Sequence, residues 1–308
     1  MVEEKIIHKV IKEICEEENI EFKLLSRDWI IRLKKDNKER FISGYKFDLN
    51  SHALGEILDD KYGLYEVLRE DNIPIIDHNI LYSNDNNNEF AIGYNDINKV
   101  KEFFYNNNQS IVIKPNKGTC GNGVYHITNV NDIEPLIQKL HKDNYSISYC
   151  QFYDIEKEYR IIVLNKEIKL IYQKNKPVVI GDGVKSIKEL LLDFNYNYFK
   201  HIEFDNTYNK VLEKDEIFEY NWKFNLSTGA TAQILNDKIV EDNLITIVNQ
   251  VLSKLNIGFA SIDIIKTKDN KYLVMEINSG VMMKNIYHLL DKKIVKDIYK
   301  EAILSLFK

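Results

Sequence analysis

Lys114 closes the apolar run Ile111, Val112 and Ile113, and the glycines Gly118, Gly121 and Gly123 follow shortly after it. A lysine at a strand end beside a glycine-bearing loop is chemistry for an anion. Glycines let successive backbone N–H groups turn toward one point, and Lys114 and Lys117 bring positive charge to it. The pattern is a phosphate grip but not a P-loop, because the lysine precedes the glycines and no Gly-Lys-Ser/Thr follows. A plain glycine-rich hairpin would use the same residues, so the motif gains weight only from what accompanies it.

A second group is acidic. Asp263 lies in the run SIDII, and Glu276 and Asn278 lie in VMEIN. Residues two apart on a strand face one side, so Glu276 and Asn278 project together. A register that sets Asp263 opposite them gathers three oxygen donors. Such donors suit Mg2+ shared between carboxylates and nucleotide phosphates. Their neighbours Ile262, Ile264, Val274, Met275 and Ile277 make both strands apolar enough to be central, where a carboxylate needs a partner. Cys120, inside the glycine loop, reads either as a reactive thiol or as a small loop residue, and the lack of a nearby His or carboxylate in sequence favours the second. Lys61 falls within a helical stretch and, taken alone, reads as a solvated helix lysine.

The elements that must position these groups alternate along 308 residues, long enough for about two domains. Apolar residues make up 44% and charged residues 29%, an ordinary globular composition. A net charge of −5 gives no footprint for nucleic acid. Three scattered cysteines supply neither a disulfide framework nor a Cys-based zinc site, and no HxxxH or HxH pair is present. The longest apolar runs are strand-length and the N-terminus is charged and amphipathic, so the expectation is a cytoplasmic protein without a membrane segment.

Helical spacing predicts a helix over 3–18 and another over 52–71, the latter stopping before Pro74. A hairpin is expected over 29–43. Asn-rich pieces at 84–88 and 105–109 read as loops with a short helix between them. From residue 145 the pattern predicts consecutive strands, ISYCQFYD, KEYRIIVLN and EIKLIYQKNKPVVI, in one antiparallel sheet. GDG at 181–183 turns into a helix KSIKELLLDF, and residues 195–224 resist placement. An amphipathic helix, the final strand pair and a closing helix over about 292–307 complete the chain, which shows no internal repeat.

With lysine strand, glycine loop, strand pair and D…E-x-N ending in this order, the sequence resembles the ATP-grasp superfamily of carboxylate–amine ligases. It looks most like the ATP-grasp part of cyanophycin synthetases and of bifunctional glutathione synthases. EYRIIVLNKEIKLIYQKNKPVVIGDGVKSIKELL and NLSTGATA carry the most specific part of the likeness, which covers about 27–290. It implies an α+β ATP-grasp fold with ATP between a small lid sheet and a larger, mostly antiparallel C-terminal sheet. The division expected is an N-terminal portion (1–71), a lid (72–149) and a catalytic part (150–308).

Carried over, the resemblance makes Lys61 and Lys114 nucleotide-binding lysines, against the solvated reading of Lys61. Lys117 with Gly118, Gly121 and Gly123 becomes the loop over the β- and γ-phosphates, Gln151, Phe152 and Tyr153 the adenine hinge, and Glu158 the ribose carboxylate. Asp263, Glu276 and Asn278 match the ligands of Mg2+, two ions being the family's habit. Lys114 and Arg160 are the candidate catalytic residues, Arg160 for the transferred phosphate or the acyl group. Two departures stand out: Gln151 where the hinge usually has Glu, and EINSGVMMKNI where the family has EINxxPG.

The implied reaction joins a small-molecule carboxylate, of an amino acid or peptide, to an amine. The alternatives are a ligase that loads an amino acid onto a carrier protein and an ATP-binding module that makes no bond. A homodimer is one assembly the sequence allows.

Overall fold

The computed structural model describes residues 4–83, 91–118, 121–199, 202, 204–236 and 240–308. The Asn-rich piece at 84–88 and Cys120 lie outside these residues. Contacts divide the chain into two compact units, residues 1–172 with 234–308 and residues 173–233.

Helix α1 (Ile6–Glu17) buries Ile7, Val10, Ile11 and Ile14, the single stripe that its spacing dictates. Strands β1 (Glu21–Leu25), β2 (Ile30–Lys35), β3 (Lys38–Ser43) and β4 (Lys46–Phe47) form an antiparallel sheet in chain order. Asp36 and Asn37 turn β2 into β3 at positive φ, as a two-residue hairpin turn requires.

The helix expected over 52–71 is two, α2 (His52–Asp59) and α3 (Lys61–Arg69). Asp60 leaves helical space at φ −98 and ψ 107, and its carboxylate accepts the Gly63 N–H at 2.8 Å. A capping aspartate starts a new helix here. Lys61 is therefore the first residue of a helix rather than one in its interior.

Strands β5 (Asn79–Tyr82), β6 (Ile111–Pro115), β7 (Tyr125–Ile127) and β8 (Ser146–Gln151) make a four-stranded antiparallel sheet in the order β5-β8-β6-β7. Leu81, Ile111, Ile113, Ile127, Ile147 and Tyr149 pack one face against helices α4 (Ile97–Asn106) and α5 (Ile133–His141). Alternation sends Val112, Lys114, His126, Ser148 and Cys150 to the other face. The sequence reading put ISYCQFYD with the strands that follow it. Instead β8 pairs with β5 and β6, because Ile147 and Tyr149 complete the core beneath those helices.

Strands β9 (Ile155–Leu164) and β10 (Glu167–Asn175) turn over Asn165 and Lys166, both at positive φ. Expected as one strand, EIKLIYQKNKPVVI breaks at Pro177, which cannot donate to a ladder, and resumes as β11 (Val178–Ile180) in the second unit. There β11 pairs with β12 (Ile217–Glu219), over a core of Val179, Ile187, Leu191, Phe199 and Leu212. Helix α6 (Ile187–Phe199) is interrupted at Asn195, with φ −154 and ψ 82.

The GDG motif proves to be a turn built for this helix. Asp182 Oδ1 accepts the N–H groups of Val184 and Lys185 at 2.8 and 2.7 Å, and Ser186 and Glu189 form a reciprocal capping box. A Cβ on Gly181 would lie 2.1 Å from the Glu213 carbonyl oxygen. Gly229 of NLSTGATA, at φ +100, has Tyr220 Oη where a side chain would go.

Strand β13 (Thr231–Ile234), helix α7 (Asp242–Lys254) and strands β14 (Phe259–Thr267) and β15 (Tyr272–Asn278) complete the larger sheet, in the order β13-β10-β9-β14-β15. Tyr159, Ile161, Val163, Ile262, Ile264 and Val274 pack its rear face, with Leu244, Val248 and Val251 of α7 in the same core. Helices α8 (Lys284–Leu289) and α9 (Lys292–Ser305) end the chain. Among the described residues no helix is long and apolar enough to cross a membrane. The α+β class with a small and a larger, mostly antiparallel sheet is as the sequence implied.

Candidate nucleotide and metal site

Register decides which side chains meet on the front of the larger sheet. Asp263 of β14 sits opposite Glu276 of β15 on one side and opposite Arg160 of β9 on the other. Directly paired residues share a face, and so do residues two apart, so Glu158, Arg160, Asp263, Glu276 and Asn278 line one surface. The gathering of oxygen donors expected from the sequence is thus present.

Arg160 donates Nε to Asp263 Oδ1 at 2.7 Å and Nη2 to Oδ2 at 2.5 Å, a fork that holds a carboxylate with 0% exposure. Burial alone would lower the Arg160 pKa, but the Asp263 charge outweighs it and the guanidinium is held well above its ordinary value. Asn278 Nδ2 donates to Glu276 Oε1 at 3.2 Å, which fixes the two side by side. The end of β15 is tied down as well. Ser279 Oγ donates to Asp59 Oδ1 at 2.9 Å, Lys46 pairs with the same carboxylate, and the Val281 N–H donates to the Tyr45 carbonyl at 3.0 Å.

Two lysines belong to the same surroundings. Lys61, at the start of α3, and Lys114, on β6, are each only 6% exposed. Burial, foremost, pulls the Lys61 ammonium below its ordinary pKa; Glu276 opposes this and Lys114 adds to it. The ammonium donates to the carbonyls of Asn116 and Gly118 at 3.3 and 2.9 Å. Asn116 in turn accepts the Tyr62 N–H at 3.1 Å and donates to Asp60 at 2.9 Å. The root of the glycine loop is therefore fastened to the N-terminus of α3. The solvated reading of Lys61 fails because this capped start turns the residue inward.

Beyond that root the loop carries Gly121 and Gly123 at φ +68 and +67, while Gly118 keeps an ordinary φ. Lys117 pairs with Glu56 of α2 at 2.7 Å, and this bond raises its pKa. Its charge is engaged by that carboxylate in this arrangement.

The expected hinge lies at the end of β8. Gln151 pairs with Ile111 and is exposed, and the Phe152 N–H donates to the Ser110 carbonyl at 3.1 Å. The Phe152 ring stacks on His126 at 3.8 Å and 13°. Burial, with Asp77 nearby, pushes the Tyr153 phenol up to about 12.

Sequence reasoning missed Asp60, Asn116, His126, Ser148 and His78. The first sits inside a stretch whose spacing reads as one continuous helix, and with Gly63 rather than Glu or Gln three residues on it gives no clear start signal. The others carry none, being single polar residues whose place depends on strand pairing.

The donor set suits an Mg-nucleotide. Two adjacent buried lysines call for an anion. Among the described residues no group of three or more His, Cys, Asp or Glu could hold a metal, so Asp263, Glu276 and the Asn278 amide offer only part of a shell. Such a partial shell fits Mg2+, which takes its remaining oxygens from phosphate and water.

No family model matches the chain. It is 25% identical to the cyanophycin synthetase of Trichormus variabilis over 197 residues, 55% of this chain and 22% of that protein. It is 24% identical to the glutathione biosynthesis bifunctional protein of Clostridium perfringens over 289 residues, 92% of this chain and 34% of that protein. The chain thus spans only about a fifth to a third of the length of these curated relatives. Among solved structures it is similar to a bifunctional glutathione synthetase from Pasteurella multocida, with a TM-score of 0.55, 17% identity and coverage of 96% of this chain and 43% of that one. It is also similar to a RiPP-associated ATP-grasp ligase of Chryseobacterium gregarium, solved with ADP and a leader and core peptide. There the TM-score is 0.51, the identity 11%, and the coverage 96% and 91%.

Proposed function

We propose, because this chain has the ATP-grasp fold, that it is an ATP- and Mg2+-dependent ligase joining a carboxylate to an amine. The observation that carries this reading is the buried pair Lys61 and Lys114, whose mutual repulsion an anion between them would relieve.

In this reading Lys61 and Lys114 hold the phosphates, and Lys117 with Gly118, Gly121 and Gly123 covers them once the Glu56 pair yields. Gln151, Phe152 and Tyr153 take the adenine, and Glu158 takes the ribose hydroxyls. Asp263, Glu276 and Asn278 would hold Mg2+, which supplies charge neutralisation at the phosphates when bound. Arg160, anchored by Asp263, would offer its charge to the transferred phosphate or to an acyl oxygen.

A carboxylate oxygen of the substrate attacks the γ-phosphorus and ADP leaves, giving an acyl phosphate. The amine nitrogen then attacks the acyl carbon, inorganic phosphate leaves with the bonding electrons, and the nitrogen loses a proton. The residues named contribute position and preorganised charge.

The test supplies ATP, Mg2+, hydroxylamine in place of the amine and a panel of amino acids, peptides and carrier proteins. Formation of a hydroxamate with stoichiometric ADP is the expected result, and the member that reacts identifies the carboxylate. ATP bound but never consumed across the panel would sink the ligase reading and favour a module that only senses ATP. Repeating the assay with free amines and with carrier-borne amines separates an ordinary acceptor from a protein or peptide one.

A further inference from the structure

His78 is 2% exposed, and neither of its ring nitrogens reaches a hydrogen-bond partner among the described residues. It occupies the crossing between the two sheets. Ile75 pairs in parallel with Val274 at the edge of the larger sheet, and Asn79 opens β5 of the smaller one. Ile80, two residues after His78, lies opposite Ser148, and Ser148 lies opposite Lys114. Ser148 is 0% exposed and its Oγ is likewise unpartnered among the described residues. Burial, foremost, holds the His78 ring well below its ordinary pKa, and Lys114 and Lys61 push the same way. The Met275 backbone beside Glu276 opposes them, facing the ring without the distance and angle of a formed hydrogen bond. Two buried polar side chains thus stand unsatisfied beside the two lysines.

A buried polar group without a partner costs free energy, and folded proteins rarely keep one without a use. A third cation beside Lys61 and Lys114 would be expelled or neutralised, whereas an uncharged imidazole can offer an N–H without adding to the repulsion. A hydroxyl does the same.

We propose that His78 and Ser148 are nucleotide-binding residues, donating the imidazole N–H and the hydroxyl to phosphate oxygens held between Lys61 and Lys114. This rests on the nucleotide reading of the site given above. It adds two residues that neither the glycine loop nor the acidic strand pair would suggest.

Calorimetry with Mg-ADP on the full chain, paired with urea unfolding of the nucleotide-free protein, tests it. His78→Leu is expected to bind Mg-ADP about tenfold more weakly and Ser148→Ala about fivefold, as for hydrogen bonds to a charged group. His78→Gln, which restores an N–H, is expected to recover part of the loss. The urea midpoint of nucleotide-free His78→Leu should equal or exceed that of the wild type, because the replaced ring had no well-formed hydrogen bond to lose. Unchanged Mg-ADP affinity in His78→Leu together with a lower midpoint would overturn the proposal and make the ring a structural element. Should that variant not fold, unchanged affinity in Ser148→Ala and His78→Gln overturns it equally. A wild type that takes up no Mg-ADP would bring down the nucleotide reading itself, an outcome distinct from variants that bind as the wild type does.

Discussion

Arg160 and Asp263 face each other from neighbouring strands, and the guanidinium grips both oxygens of a carboxylate that has no contact with solvent. Removing one member strands the other in a low-dielectric place, whereas replacing both with apolar groups need not cost stability. Asp263→Asn should lower stability by about 3 kcal/mol. A double change, Arg160→Met with Asp263→Leu, should regain most of it. Urea midpoints measure both, and a single variant as stable as the wild type would show that the fork does not hold the sheet.

Glu276 sits opposite Asp263 and is held beside Asn278. If these groups carry Mg2+, Glu276→Gln should hurt chemistry more than binding, since the metal stabilises charge that moves in the transition state. We expect kcat to fall at least about 100-fold, as at other electrostatic catalytic groups, with a much smaller change in ATP affinity. Equal losses in kcat and in affinity would argue for a role in binding alone.

Lys114 has no carboxylate partner among the described residues, although it is buried. Lys114→Met keeps length and apolar body, so folding should be nearly unchanged while nucleotide affinity drops by about tenfold or more. Calorimetry that returns the wild-type affinity would remove Lys114 from the site.

Glu241 anchors the rear of the same sheet. Tyr272 donates to it, as do Tyr159 at 2.9 Å and Lys266 at 3.1 Å, and the Tyr272 bond, foremost, holds its carboxyl down at about 2. A depressed carboxylate pKa contributes stability that is present above the unfolded value and lost as pH falls through the folded one. The contribution should therefore be complete above about pH 4.5 and gone near pH 2. With the side chain about a third exposed, solvent screening reduces it to about 1–2 kcal/mol. Glu241→Gln should lose that amount at pH 7 and show a flatter decline in stability between pH 4.5 and 2. Parallel curves for the two proteins would place the acid sensitivity elsewhere.

Gly181 leaves no room for a Cβ, with the Glu213 carbonyl oxygen 2.1 Å from where it would lie. Gly181→Ala should force the two segments apart and destabilise residues 173–233 by about 1–3 kcal/mol, the usual range for overpacking. Amide exchange is the readout, with faster exchange confined to that unit. Uniform exchange throughout the chain would contradict the local reading.

Periodicity and residue type by themselves determined the strands around Lys114, Asp263 and Glu276. Short apolar runs bounded by turns allow few alternatives, and the glycine loop announces its backbone need. The Asp263–Glu276 facing was not legible, since an unbroken hairpin around KDN would set Asp263 opposite Met275, and only a bulge between Asp263 and Ile264 brings Glu276 across from it. What the sequence could not decide was anything set by pairing between distant segments. The break at Asp60 that turns Lys61 inward depends on a cap bonded to Asn116, and the membership of β8 depends on which core Ile147 and Tyr149 fill. Likewise, His78 is an unremarkable histidine until β5 pairs with β8 and brings it beside Lys114. Local propensity acts over a few residues, but burial and charge depend on neighbours supplied by strands dozens of residues away, and only the folded chain brings those together.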